Sequence, residues 1–233
     1  MSKLKEMLTG RSRDHVLQFE NTHIIIHRDV ETPLNALQKK ARSSGFDLAV
    51  ASGFRDYNSQ LTIWNMKATG KRAVLDSSGM PLDISKLTSE ELVYAILRWS
   101  SLPGTSRHHW GTEIDVFDRN SLPKDYQVQL IPNEAAPGGI FSQFNDWLDC
   151  NIREFGFFRP YSVDKGGVSP EWWHLSYAPV SQRCLEQFDL TFCEMVIKES
   201  DFELRSVVLD RLPDIYQRFI ANISPHDSSV LSQ

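Results

Sequence analysis

Residues 106–115 read SRHHWGTEID, and the rest of the chain takes its meaning from this decapeptide. Ser106, His108 and Asp115 stand in the pattern Ser-x-His-x-x-Gly-x-x-x-Asp. Gly111 breaks the local periodicity and lets the chain bend, because glycine enters tight turns at little steric cost. Thr112 to Phe117 then reads as a strand. His108 and Asp115 are metal-competent side chains on either side of the bend. The spacing alone leaves open whether they are ligands or ordinary hydrogen-bonded groups.

Two further polar clusters lie outward from this one. Upstream, Ser52-Gly53-Phe54-Arg55 sits at a corner between a predicted strand, Phe46 to Ser52, and a helix from Asp56 with Leu61, Trp64 and Ala68 in helical spacing. Downstream, Glu171-Trp172-Trp173-His174 opens the short aromatic strand EWWHLSY, residues 171–177. Two imidazoles and a carboxylate are a sufficient protein set for catalytic zinc with an open fourth position. Glu171 is available to take a proton and Arg55 to stabilise an oxyanion. Taken singly, Glu-x-x-His is a common spacing, and nothing in it shows that His174 converges with His108 and Asp115.

Elsewhere the pattern predicts a short N-terminal helix, a strand over Thr22 to Arg28, and a helix capped at Thr32-Pro33 that Gly45 stops. Thr88-Ser89-Glu90-Glu91 has the form of a capping box. Tyr126 to Ile131 (YQVQLI) is a strand candidate, and Ile140 to Phe155 an amphipathic helix ended by Gly156. Two helices are expected in the tail, Ser181 to Lys198 and Asp201 to Ile220, the second kinked or split at Pro213. Strands and helices mix without βαβ alternation, so the fold class is α+β, built on a small antiparallel sheet with flanking helices.

Composition narrows the function classes. With 233 residues, 41% hydrophobic, the chain is long enough for one sizeable core or two small ones, and its composition excludes disordered and low-complexity classes. A net charge of -5 argues against nucleic-acid binding, which needs dense cationic surface. No apolar run is long enough to span a bilayer, and the N-terminus has no apolar block or cleavage site. Cytoplasmic localisation is the expectation. Cys150, Cys184 and Cys193, an odd set without a CxxC pair, read as buried reduced thiols.

In order, SGFR, SRHHWGTEID and EWWH resemble the motif set of the bacterial zinc D-alanyl-D-alanine carboxypeptidases and dipeptidases, the VanY-like family that shares the hedgehog/DD-peptidase fold. Gln60 and the segment WLDCNIREFGFFRPY, residues 147–161, match as well, so the resemblance spans Phe46 to Tyr177. It implies one zinc ion held by His108, Asp115 and His174, with Glu171 as general base and then general acid and Arg55 at the developing oxyanion. It also implies that Ser106 and Gln60 help bind substrate, Ser106 near the terminal carboxylate. The implied activity is hydrolysis by zinc-activated water, without a covalent intermediate, releasing a terminal D-alanine from peptidoglycan stem peptides in the D,D or L,D sense. An endopeptidase of the stem or cross-bridge, and a non-catalytic zinc-stabilised binding module, are the alternatives. The expected partner is a peptidoglycan-derived peptide, with neither nucleic acid nor membrane span; the oligomeric state is left open.

Departures from the family pattern accompany these matches. The common Glu-Pro-Trp-His-Trp-Arg-Tyr is here Glu171-Trp172-Trp173-His174-Leu175-Ser176-Tyr177, without the proline and the arginine. His109 is expected to point away from the metal, with a donor role behind the ligands or ligation as alternatives. Trp110, Trp172 and Trp173 are expected in the core more than in a groove, and Glu113 and Asp118 in solvent. The resulting domain expectation is an N-terminal extension, 1–45, packing on the core, a zinc peptidase domain, 46–179, and a C-terminal helical extension, 180–233.

Overall fold

In the computed structural model, which describes residues 2–20 and 22–226, the chain opens with α1 (Lys3–Leu8) and an antiparallel strand pair, β1 (Val16–Gln18) and β2 (Ile25–His27). A single 3-10 turn, Arg28–Val30, runs directly into α2 (Glu31–Ser43). This helix therefore starts ahead of the expected Thr32 cap, and Pro33 falls in its first turn, where an absent N–H leaves no helical bond unmade. β3 (Leu48–Ser52) and α3 (Tyr57–Ala68) follow, the latter capped by Asp56, whose carboxylate accepts from the Ser59 N–H at 2.8 Å. The Thr88–Glu91 capping box forms and starts α4 (Ser89–Leu97). A 3-10 turn, Arg107–Trp110, then passes through Gly111 into β4 (Glu113–Asp118).

The second half holds α5 (Pro132–Ala135), α6 (Ser142–Asn151), β5 (Phe157–Phe158) and β6 (His174–Tyr177). It ends with α7 (Ala178–Glu186), α8 (Leu190–Lys198), α9 (Arg205–Asp210), α10 (Leu212–Ile215) and a π turn, Tyr216–Ile220. Three expectations are corrected here. Tyr126 to Ile131 is not a strand: the N–H groups of Gln129, Leu130 and Ile131 turn onto the Glu134 carboxylate, and Leu130 has a positive φ. The predicted helix over 181–198 is two helices, because Asp189 caps a new start by accepting from the Phe192 N–H at 2.7 Å. The helix predicted from Asp201 begins only after Leu204, whose φ of 64° is left-handed, although it does split near Pro213 as expected.

β3, β4, β6 and β5 form, in that order, an antiparallel four-stranded sheet, so the α+β class with a small antiparallel sheet holds. Alternation along the strands separates its two faces. Ile114, Val116 and Leu175 are buried in the core with Leu34 and Leu37 of α2, Leu48 of β3 and Phe144 and Leu148 of α6. Glu113, Asp115, His174 and Ser176 occupy the alternate positions. A second core joins Trp64 of α3 and Ile96 and Leu97 of α4 to Ile197, Val208 and Ile215 of the C-terminal helices. Leu8 of α1 packs with Trp110 and Phe188 in a third.

Among the described residues no helix is long and apolar enough to cross a membrane. Cys184 and Cys193 are buried free thiols, whereas Cys150 is exposed, on the outer side of α6, against the expectation of burial.

Candidate active site

Sheet register brings two of the three predicted ligands together: Asp115 of β4 lies directly opposite His174 of β6. Opposed residues on one face of an antiparallel pair have their Cβ atoms about 5 Å apart, within reach of a shared ion. His108 arrives from the 3-10 turn, and the left-handed Gly111, φ 68°, reverses the chain between it and β4. A Cβ at Gly111 would lie 2.7 Å from the backbone nitrogen of His27, so close approach to β2 also requires glycine there. One ligand atom from each of His108, Asp115 and His174 falls within 4.8 Å of the others, and all three residues are buried.

The histidines are oriented by groups behind them. His108 Nδ1 lies 2.7 Å from the carbonyl oxygen of Gly53 and donates to it, which leaves Nε2, 3.6 Å from Asp115 Oδ2, facing the cluster. Burial lowers the His108 pKa to about 4, so the ring is neutral and Nε2 carries a lone pair. His174 Nε2 donates to Glu113 Oε2 at 2.8 Å, and its Nδ1 faces Asp115 Oδ1 at 3.1 Å. Burial works against charge on Asp115, yet His108 and then His174 hold its carboxyl down at about 2. Two ring nitrogens, each ring set by a hydrogen bond through its other nitrogen, and an ionised carboxylate oxygen are a fitting donor set for a divalent metal.

Glu113 corrects the expectation of a solvated carboxylate. It is fully buried, 3.0 Å from Arg107 Nη2 and 2.8 Å from Ser176 Oγ. Burial opposes its charge, but Arg107, then His174 and Ser176, hold it at about 2. Ser176, where the family pattern has arginine, also accepts from Arg107 at 2.8 Å, so a guanidinium stands beside this strand position after all, delivered from residue 107. Asp118 is buried too, accepting from the backbone N–H of Asp47 at 2.7 Å. The sequence offered one signal for Glu113: it shares a strand face with Asp115.

Glu171 lies ahead of β6 with Oε2 3.5 Å from His174 Nδ1. Burial raises its pKa to about 7, with Asp115 adding to the effect and His174 opposing it. Arg55 enters from the corner after β3, where the register shifts between Val50 and Ser52 and the chain leaves the sheet. Its Nη1 donates to Gln60 Oε1 at 2.9 Å, and Gln60, fully buried, donates in turn to the Ser101 carbonyl at 2.7 Å. Gly53 makes this corner possible: a Cβ there would lie 2.4 Å from the Ile25 carbonyl oxygen. His109 points away from the cluster, with Nδ1 2.6 Å from the Arg55 carbonyl and Nε2 accepting from the Gly104 N–H at 3.1 Å. It pins the Arg55 backbone and is not a ligand.

A cleft of about 240 Å³ opens over the cluster. Ser106, Arg55, Glu171 and the three cluster residues line it, as do Trp99, Tyr161 and Trp173; Gln60 does not. Trp110 is core, its Nε1 donating to the Leu8 carbonyl at 3.2 Å, whereas Trp173 faces the cleft. Lys67, Arg72 and Trp99 also line the cleft and were not legible as site residues, because they come from segments without a motif; Tyr161, which ends the matching segment 147–161, lines it too.

Comparison with known proteins agrees with this geometry. Residues 23–180 match the family model described as VanY, D-alanyl-D-alanine carboxypeptidase. An uncharacterized protein of Haemophilus influenzae is 42% identical over 105 residues, covering 44% of this chain and 72% of that one. A D-alanyl-D-alanine carboxypeptidase of Enterococcus faecalis is 29% identical over 169 residues, covering 66% of this chain and 52% of that one, about half its length. Among solved structures, the vancomycin-resistance D,D-pentapeptidase VanY from a VanB-type cassette, in complex with Zn(II), aligns with a TM-score of 0.51 at 26% identity, covering 72% of this chain and 82% of that one. With a family match over more than half its length, and with the three motifs gathered around one cleft, the chain belongs to the VanY family of D-alanyl-D-alanine carboxypeptidases.

Proposed function

We propose that the chain is a zinc-dependent carboxypeptidase that removes a terminal D-alanine from peptidoglycan stem peptides. The observation that carries this reading is the convergence of His108, Asp115 and His174 within 4.8 Å, with Glu171 3.5 Å from His174. His108, Asp115 and His174 would hold the zinc ion, which would supply Lewis acidity to the attacking water and the scissile carbonyl. Glu171 takes the proton from the attacking water and returns it to the leaving amine. Its pKa near 7 suits a group that must both accept and donate near neutral pH. Arg55 meets the negative charge that develops on the carbonyl oxygen. Gln60, buried behind Arg55, acts by positioning the guanidinium and not on the substrate directly. Ser106, on the cleft wall, binds the substrate.

Mass spectrometry of products from zinc-loaded protein and purified stem tetrapeptides and pentapeptides, beside a chelator-treated control, tests this. The expected result is chelator-sensitive loss of a single alanine, and the preferred length separates L,D from D,D cleavage. Larger fragments would mark an endopeptidase. Stoichiometric zinc without any product would mark a binding module.

A further inference from the structure

α3 brings a cation into the cleft that the chemistry above does not use. Lys67, in the last turn of α3, is buried, and its Nζ donates to Ser100 Oγ at 2.7 Å. Lys67, Ser100 and Arg72 line the same cleft as Arg55 and Glu171. The serine takes one of three ammonium N–H groups, and among the described residues no carboxylate lies within ion-pair distance of Lys67 or of the exposed Arg72. The other two arginines of the cleft are engaged: Arg107 on Glu113, and Arg55 on Gln60 beside Asp115 and Glu171. Burying an ammonium against a neutral hydroxyl is costly, and a polar uncharged residue would bridge α3 to Ser100 without that cost. Burial, then Arg72, lowers the Lys67 pKa to about 8, with Glu171 opposing and Arg55 adding to the pull.

We propose that Lys67, with Ser100 and Arg72, forms a subsite for a carboxylate of the peptide substrate other than the scissile group, so that the cleft selects acidic over amidated peptides. This rests on the peptidase reading above. The chemistry recognised is a carboxylate accepting from an ammonium, a hydroxyl and a guanidinium. Recognition of the free C-terminus of the leaving residue is common to carboxypeptidases and is implied for Ser106, so the carboxylate assigned here is a side chain on the acyl side of the scissile bond.

The test uses zinc-loaded full-length protein and N-acyl peptides ending in D-alanyl-D-alanine. One pair is the free acid and its C-terminal amide; a second pair carries a side-chain carboxylate on the acyl side, free or amidated. Wild type is expected to favour the side-chain acid of the second pair by roughly 30-fold or more in kcat/KM, the scale of a buried charged contact. Lys67→Met should collapse that preference to within about threefold of unity, Lys67→Arg should keep most of it, and Arg72→Gln should fall between. The first pair, whose acid any carboxypeptidase prefers, is the control: loss of its preference alone in Lys67→Met would place Lys67 at the terminal carboxylate and overturn the acyl-side subsite. A folded, zinc-replete Lys67→Met protein with the wild-type preference in the second pair would overturn the subsite. If Lys67→Met fails to fold, Ser100→Ala and Arg72→Gln decide by the same ratios.

Binding of the same peptides to Glu171→Gln protein, read by tryptophan fluorescence, separates the two claims, because Trp99 and Trp173 line the cleft. Acid-selective binding that is lost on adding Lys67→Met, with no hydrolysis by wild type, would retain the subsite and remove the carboxypeptidase. Hydrolysis with no effect of Lys67 on either ratio would do the reverse.

Discussion

Glu171 and Glu113 are two carboxylates on either side of one imidazole, and their environments assign them different work. Glu171 faces the cleft and is raised to about 7, whereas Glu113 is sealed behind His174 against Arg107 and held at about 2. Glu171→Gln is therefore expected to retain zinc while turnover falls roughly 10²–10⁴-fold, the usual contribution of a general base; metal analysis and single-turnover kinetics check this. Glu113→Ala removes the acceptor for His174 Nε2–H and strands Arg107. It is expected to weaken zinc binding about 10–100-fold and to cost roughly 3–5 kcal/mol of stability, measured by competition with a chromogenic chelator and by urea melts. Lys67 gives a pH-dependent prediction. Its folded pKa of about 8 lies below the ordinary lysine value, so the unfolded chain binds the extra proton between about pH 8 and pH 10.5, and stability rises through that window. Lys67→Met should be the more stable protein at pH 7, by about 1–3 kcal/mol, and should lose that advantage by pH 10.5 in urea melts at the two pH values.

At the scale of elements, the site is made where regular structure stops. The 3-10 turn, the corner after β3 and the residues ahead of β6 supply His108, Arg55 and Glu171, and three hydrogen bonds tie the first two together: His108 to Gly53, His109 to Arg55, and the Arg55 N–H to the His108 carbonyl at 3.1 Å. Gly111 sets the angle between this turn and β4. Gly111→Ala must hold a left-handed φ, costing about 1–2 kcal/mol, and must also push a Cβ against His27 and Val16. The expected outcome is a lower melting temperature together with weaker zinc binding, because displacing the turn moves His108 relative to Asp115; differential scanning fluorimetry with and without zinc reads both.

At the scale of the molecule, the helices beyond β6 complete a core that α3 and α4 begin. Trp64 of α3 is fully buried beside Phe202, with its Nε1 donating to the Glu203 carbonyl at 2.9 Å. Since α3 carries Lys67 and Gln60, those helices support the cleft from behind. A chain ending at Pro179 would expose Trp64, Val93, Ile96 and Leu97 to water, at about 1.5–3 kcal/mol for each large side chain, a sum comparable to the whole stability of a domain. It is expected to lack a cooperative thermal transition by circular dichroism, while the full chain shows one.

The three motifs, the Thr88–Glu91 capping box and the strand after Gly111 were legible because each is local: a cap, a turn or an alternating face depends on residues a few positions apart. The ligand set was legible through resemblance, and its convergence became visible only in the register that sets Asp115 opposite His174. Tertiary structure alone decided the rest. YQVQLI has the alternation of a strand, but its N–H groups find Glu134 before any neighbouring strand. Glu113 looks like a surface carboxylate in sequence and becomes the partner of His174 because β4 and β6 pair with that face inward. Lys67 belongs to no motif and enters the cleft because α3 packs between α4 and the C-terminal helices. By itself the sequence determined which side chains were chemically able to act; burial and register, which join residues far apart in the chain, decided which of them meet and what each must neutralise.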